Sequence, residues 1–291
     1  MSRRFAPFTL LAPFGVLFAC FFVAPIGYAI YQSLIKVERT GVLGLGGSHT
    51  VFAGLGNYSD ALSNSQFVAS AGRIVLFTAV EVPVMIGLAT VLALLLDSGL
   101  AHWPRAFRTA YFLPYGVPGV IASILWGFLY VPGISPISEA LAKVGVDVDF
   151  LSNGTVLWSL ANIVTWSFVG YNMLIVIAQL QAVPTEIYDA ARVDGASRLQ
   201  IALRIKLPLV RPAIVLTSVF TIIGSLQLFA EPLVLHVLTP NIDRHYTPNL
   251  SAYTEAFQNN NQSLAAAEAV MLALVAFALS FGFLKVVRRW G

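Results

Sequence analysis

The sequence predicts an all-α membrane protein of six transmembrane helices with a helix–turn–helix on the cytoplasmic side, and three observations carry that prediction. Six apolar stretches, near 8–34, 72–96, 107–131, 156–181, 211–236 and 264–286, reach the roughly 20 residues a helix needs to cross hydrocarbon. Hydrophobic residues make up 57% of the chain and charged residues only 11%, where an ordinary soluble domain carries about 25% charged. The third observation is the placement of charge, which follows the six crossings. Twelve Lys and Arg fall on the side of the N-terminus (Arg3, Arg4), the short loop near Arg105 and Arg108, the 184–208 loop with Arg211 at its edge, and the tail. Five fall on the other side: Lys36, Arg39, Arg73, Lys143 and Arg244. The bias in Lys and Arg puts both termini and the 184–208 loop in the cytoplasm.

The first stretch follows Arg3-Arg4 but is much longer than the about 7–15 apolar residues of a secretory signal, and no small-x-small site follows it, so it reads as a retained helix. In the third, Pro114 and Pro118 each remove a backbone donor and loosen the helix at a defined place. Such breaks persist in lipid only where neighbouring helices or a cavity satisfy the freed carbonyls, so a bend is expected there. The fourth carries Asn162, Thr165, Trp166, Tyr171 and Asn172, and the fifth Thr217, Ser218, Thr221, Ser225, Gln227 and Glu231. Thr221, Ser225 and Leu228 recur at helical spacing, so one face of the fifth helix can line a path. The same polar side chains can also serve as glue between membrane helices. Glu81 and Glu231 lie within or at the ends of spans, where a carboxylate must face protein or water. Glu81 is expected to pair with Arg73 or to reach the outer interface. Neither acid has a cation inside a span, which leaves an ion relay without support. The outer loops, 35–71, 132–155 and 237–263, are long.

Between the fourth and fifth spans the chain spends about twenty-five residues, Pro184 to Pro208, on a connection that five could make. Pro184 suits the first turn of a helix. Ala190 and Ala191 then make a low-profile patch, and Gly195 can take the left-handed conformation that closes a helix. Ser197 with Gln200 fits a capping box that starts a second helix, and Pro208 is expected to end it. A small-residue face held flush with a membrane suits docking to another protein.

Those residues carry a resemblance. Tyr188-Asp189-Ala190-Ala191, Asp194-Gly195-Ala196, and Ile205, Leu207 and Pro208 resemble the EAA loop of bacterial binding-protein-dependent ABC importers, in which the membrane subunit's loop sits in a groove of the ATPase subunit. Asp189 stands where the family usually has Glu, which keeps the charge with one methylene less reach. Phe52-Ala53-Gly54-Leu55-Gly56-Asn57-Tyr58 resembles the F-x-GL-x-NY element of the sugar-type permeases. Arg108 to Pro114 with Pro118 and Trp126 is similar to their R-x-x-x-FLP…P…W pattern. The resemblance implies a single type I ABC importer permease domain over 1–291, in the bacterial inner membrane and surrounded by lipid. It further implies two ATPase subunits, which would hold ATP and Mg, a second permease subunit that is a related, non-identical chain, and an extracytoplasmic binding protein. A sugar, an oligosaccharide by this likeness, would be held at mid-membrane, with Thr165, Trp166, Tyr171, Asn172, Thr221, Ser225, Gln227 and Glu231 along its path. A polyol, phosphodiester or peptide importer is the nearest alternative, and a stand-alone secondary carrier a more distant one. A phosphate would call for Arg or Lys, and the fourth and fifth spans have none.

No G-x-x-x-x-G-K-[ST] loop occurs, so this chain is not expected to bind nucleotide itself. His49, His102, His236 and His245 form no zincin-like pair with a glutamate, and there is no G-x-S-x-G elbow. The single cysteine, Cys20, excludes an internal disulfide or cysteine metal cluster. Net charge is +3, but the cations track topology, so no nucleic-acid partner is expected.

Overall fold

The computed structural model describes residues 6–39, 48–99 and 102–288. Four long apolar helical segments span Ser65–Asp97, Val156–Gln181, Arg211–Leu235 and Gln262–Val287, and a fifth, Leu10–Ser33, lies near the N-terminus. A sixth crossing is made if the bent pair Pro104–Gly116 and Gly119–Tyr130 counts as one span. The fold is therefore helical as expected. The chain divides into two compact units, Met1–Ala71 with Pro248–Leu274, and Gly72–Thr247 with Val275–Gly291.

In the first unit the structure adds an antiparallel pair of strands that the glycine-rich sequence concealed, β1 (Ile35–Arg39) and β2 (Ser48–Phe52), with Ile35 opposite Phe52. The segment Phe52 to Tyr58 closes this hairpin onto the end of the first span. Gly54 turns the chain at φ +55°, a conformation glycine adopts freely. The buried Asn57 amide donates to the carbonyls of Ser33 (2.8 Å) and Ile35 (2.7 Å), and the Tyr58 hydroxyl meets Ser33 Oγ at 2.7 Å. The asparagine and tyrosine of this element thus act as a clamp between helix and strand.

In the second unit, the chain departs from regular helix at three places. The third was expected to bend within 107–131; it breaks, with its halves at 100°. Pro118 forces the residue before it out of the helical region, and Val117 is extended at ψ 122°. Pro114 lies at the start of the short turn Leu113–Gly116, where its missing N–H is not needed. The fifth span, expected to be continuous over 211–236, breaks after Leu226 and resumes as Ala230–Leu235. The third departure lies at the entry to the fifth span, where Pro208 was expected to end the loop helix. Instead the chain winds on through Leu207–Leu209, because the turn before it, Ile201–Lys206, is π-helical. The wider turn uses carbonyls five residues back, so the missing proline donor and the crowded i−4 carbonyl both fall where the register is already shifted. The same arrangement recurs in the first unit, where the π turn Ala19–Val23 precedes Pro25.

Near the loop end of the second span, Ala89, Ala93 and Leu96 pack with Met173, Val176, Ile177 and Leu180 of the fourth span and with Val210; Leu207 packs against this cluster. The approach of the fourth span to the third is closer still. A methyl built on Gly170 would lie 1.8 Å from the Tyr111 carbonyl oxygen, a backbone atom that cannot swing aside. Gly170→Ala should therefore destabilise the chain by about 1–3 kcal/mol or more, read as a lowered melting temperature in detergent. Gly87→Ala, where nothing lies within 4 Å, should leave melting unchanged or slightly raised; equal behaviour of the two would show that this packing is absent.

Candidate functional site

The two breaks meet at a cavity of about 440 Å³. Tyr115, from the break in the third span, stacks on Tyr171 of the fourth at 4.7 Å between ring centres and 12° between planes, and Phe168 closes on Tyr115 edge-on at 5.7 Å. The opposite wall is the fifth span and its break: Phe220, Thr221, Gly224, Ser225, and Gln227 through Glu231. Regular helix ends at the cavity wall, which is where the ends of a broken membrane helix can find water or solute as partners. Most of the lining is aromatic or aliphatic with a few polar groups, the ordinary composition of a small-molecule site. Among the described residues lining it there is no Lys, Arg or His.

Six of the eight side chains singled out from the sequence line this one cavity: Tyr171, Asn172, Thr221, Ser225, Gln227 and Glu231. Thr165 and Trp166 do not. Trp166 packs edge-to-face on Trp126 at 5.8 Å, on another side of the fourth span. The Asn172 amide donates to Met85 Sδ (3.0 Å) and Thr221 Oγ1 (3.3 Å), so it is oriented by protein on both sides of the cavity wall. Tyr115 was not anticipated, although its place between two prolines was a usable signal. Glu81 was expected to pair with Arg73 or reach the interface. Instead it is buried and accepts a hydrogen bond from Ser225 Oγ at 2.7 Å. Arg73 sits over the Tyr246 ring, 4.2 Å from its centre, and donates to the Tyr246 carbonyl at 2.6 Å.

The polar loop has an inward and an outward side. Its first helix is Thr185–Val193, with Pro184 capping it from just outside the first turn. The helix closes through Gly195 at φ +82°, with Ala196 N–H bonded to the Ala191 carbonyl at 2.9 Å, a left-handed cap of the expected kind. Ser197 and Gln200 complete the capping box. Ala190, Asp194, Gly195 and Pro208 are exposed, Ala191, Ala196, Ile205 and Leu207 half-buried. Asp189 is exposed and paired with Arg192 at 2.6 Å. Around the turn, Ile187, Val193, Leu199 and Leu203 stand exposed, Val193 at 88%. Tyr188 faces the other way. It is buried, and burial together with the negative charge of Asp97 pushes its hydroxyl above the usual tyrosine range. Lys206 lies 4.9 Å above its ring and forms a 2.5 Å ion pair with Asp97. The pairing of Lys206 with Asp97 was not anticipated.

The pattern of the binding-protein-dependent transport system inner membrane components matches residues 103–290, which hold the whole loop and the cavity-lining residues other than Met85. The chain belongs to that family. The sn-glycerol-3-phosphate transport system permease protein UgpA of Agrobacterium fabrum is 30% identical over 99% of this chain and 96% of the relative. That of Yersinia pseudotuberculosis is 28% identical over the same shares. In fold, the chain is similar to a bacterial ABC transporter involved in the import of the acidic polysaccharide alginate, with a TM-score of 0.82 at 19% identity, covering 99% of this chain and 96% of the other. A MetNI methionine ABC transporter chain is more distant, at 0.56 and 14%, over 77% of this chain. Of the cavity-lining residues, Ser225 serves the buried acid Glu81 of the second span. Ser225→Ala should therefore lower stability by about 1–3 kcal/mol, because Glu81 loses its donor, while Ser225→Ala with Glu81→Leu should recover most of the loss. Melting of both variants in detergent checks this, and a double variant worse than the single would contradict it.

Proposed function

We propose that the chain is the membrane-spanning subunit of an ATP-driven importer for an uncharged sugar, and that its whole length works as one permease domain. The observation that carries the solute reading is the cavity at the paired breaks, with its stacked Tyr115 and Tyr171, its neutral polar groups and its one lining carboxylate, Glu231. Stacked aromatic rings offer an apolar face to a sugar ring, and Gln227, Thr221 and Asn172 offer hydrogen bonds to its hydroxyls. The relatives named for sn-glycerol-3-phosphate favour a second reading, a phosphate ester. Charge weighs against it, since an anion in a cavity with a carboxylate and no lining cation meets repulsion and finds no counter-charge. Membrane vesicles from the native cells should lose uptake of an uncharged oligosaccharide when this gene is deleted and keep uptake of sn-glycerol 3-phosphate. The reverse pattern would favour the phosphate ester.

On this reading the termini and the loop face the cytoplasm, two ATPase subunits grip the exposed face around Gly195, and ATP is bound and split there and not in this chain. A related permease subunit completes the path and a binding protein delivers the solute to the outer loops. The exposed apolar residues beside Gly195 support an ATPase docking there, because four large hydrophobic side chains on one polar loop mark a contact surface. A tagged chain drawn from native membranes in mild detergent should bring down an ATPase. Gly195→Pro should insert normally yet fail to retain it, because proline is fixed near φ −65° and cannot take the +82° this turn needs. Normal retention by that variant would remove the turn from the docking site.

A further inference from the structure

Among the described residues, one buried ion pair ties the loop to the rest of its unit, and it engages the second span. Asp97 is the last residue of Ser65–Asp97. A carboxylate at the C-terminal end of a helix faces the negative pole of the backbone and is unfavourable there without a cation. Lys206 supplies it, with Nζ 2.5 Å from Asp97 Oδ2 and 3.3 Å from the Asp97 carbonyl oxygen, so that one ammonium group neutralises both the side chain and the helix end. The same ammonium lies 4.9 Å above the ring of Tyr188, within reach of a cation–π contact. Three elements therefore converge on Lys206: the end of the second span, the first loop helix through Tyr188, and the π turn Ile201–Lys206 that leads into the fifth span. Lys206, Asp97 and Tyr188 are all largely buried. The four exposed apolar residues of the loop point elsewhere, so these three are not part of the surface left for a partner. By contrast, the Asp189–Arg192 pair is well exposed on both sides, where an ion pair holds little.

We propose that Lys206 is a positioning residue that pins the loop to the second span, so that a displacement of the loop moves this helix, and Glu81 and Met85 on it, as one body. The proposal rests on the reading of the loop as the place where an ATPase docks. The helix that would be moved carries Met85 in the cavity wall and Glu81 bonded to Ser225, about three and about four turns back from Asp97 respectively. The pin therefore connects the loop to the solute cavity along a single rigid element, without passing through the breaks in the third or fifth span.

The test uses the complete transporter in lipid nanodiscs, with Cys20 replaced by serine and spin labels at Leu88→Cys on the second span and Thr185→Cys on the first loop helix. Double electron–electron resonance reads the distance between them without nucleotide and with ATP and vanadate. With Lys206 intact the distribution should be narrow and the same in both states. Lys206→Met should broaden or shift it in at least the ATP–vanadate state. Asp97→Asn, which keeps the shape and removes the charge, should do the same if the methionine variant fails to assemble, and Lys206→Arg should restore the narrow distribution. A distance that changes between states with Lys206 intact, or variants that leave it unaltered, would overturn the pin. Failure of any ATPase to co-purify with the unmodified chain would instead remove the docking reading on which it rests.

Discussion

In hydrocarbon every backbone N–H and C=O must find its partner within the protein, and the arrangement of this chain depends on where that requirement is relaxed. The second and fourth spans are unbroken helices, the second continuing through Pro83. The third and fifth are broken, and both breaks open on the same cavity. Two other prolines, Pro25 and Pro208, are accommodated without a break by a π turn just upstream. Prolines thus meet different local solutions: regular helix carries Pro83, a shifted register carries Pro25 and Pro208, and the break in the third span carries Pro114 and Pro118.

The cavity and the loop lie at separate places on the same frame of helices. Between them runs the alanine-rich packing of Ala89 and Ala93 against Met173, Val176 and Ile177, where small side chains let two helices approach closely. Below that packing the Lys206–Asp97 pair fixes the base of the loop. Removing one member of a buried pair of this kind typically costs about 3–5 kcal/mol, because the other charge is left without compensation. The outward face of the loop is held by little except its own caps and remains exposed. A rigid inner side and an exposed outer side suit a segment that receives force from a partner and passes it on.

Features set by neighbours in sequence were legible without a structure. Val156–Gln181 coincides with the expected fourth span, since nothing within it competes with helix. The Gly195 turn and the Ser197–Gln200 capping box are local hydrogen-bond patterns, and they stand where the residues placed them. Features that depend on distant partners were not legible. Lys206 counted only as one more cytoplasmic charge, because its partner lies 109 residues away. Glu81 was expected to pair with a nearby arginine or to reach the outer interface, whereas its partner Ser225 is 144 residues away. The break at Gln227–Phe229 contains neither proline nor glycine. Trp166 was grouped with the cavity residues by the resemblance, although the helix turns it toward Trp126. Residue type identified the polar face of the fourth span, and only packing could tell which part of it meets the cavity.

The breaks in the third and fifth spans line one cavity, which is open to water on the reading given above. Its most direct measurement is thiol labelling of single-cysteine variants, made in a Cys20→Ser background, with a water-soluble maleimide in permeabilised membranes. Labelling should be rapid at Thr221→Cys, Gln227→Cys and Tyr115→Cys, and slow at Thr165→Cys and at Leu274→Cys, a residue of the last span exposed on the chain's own surface. Labelling of the first three no faster than of the last two would contradict it.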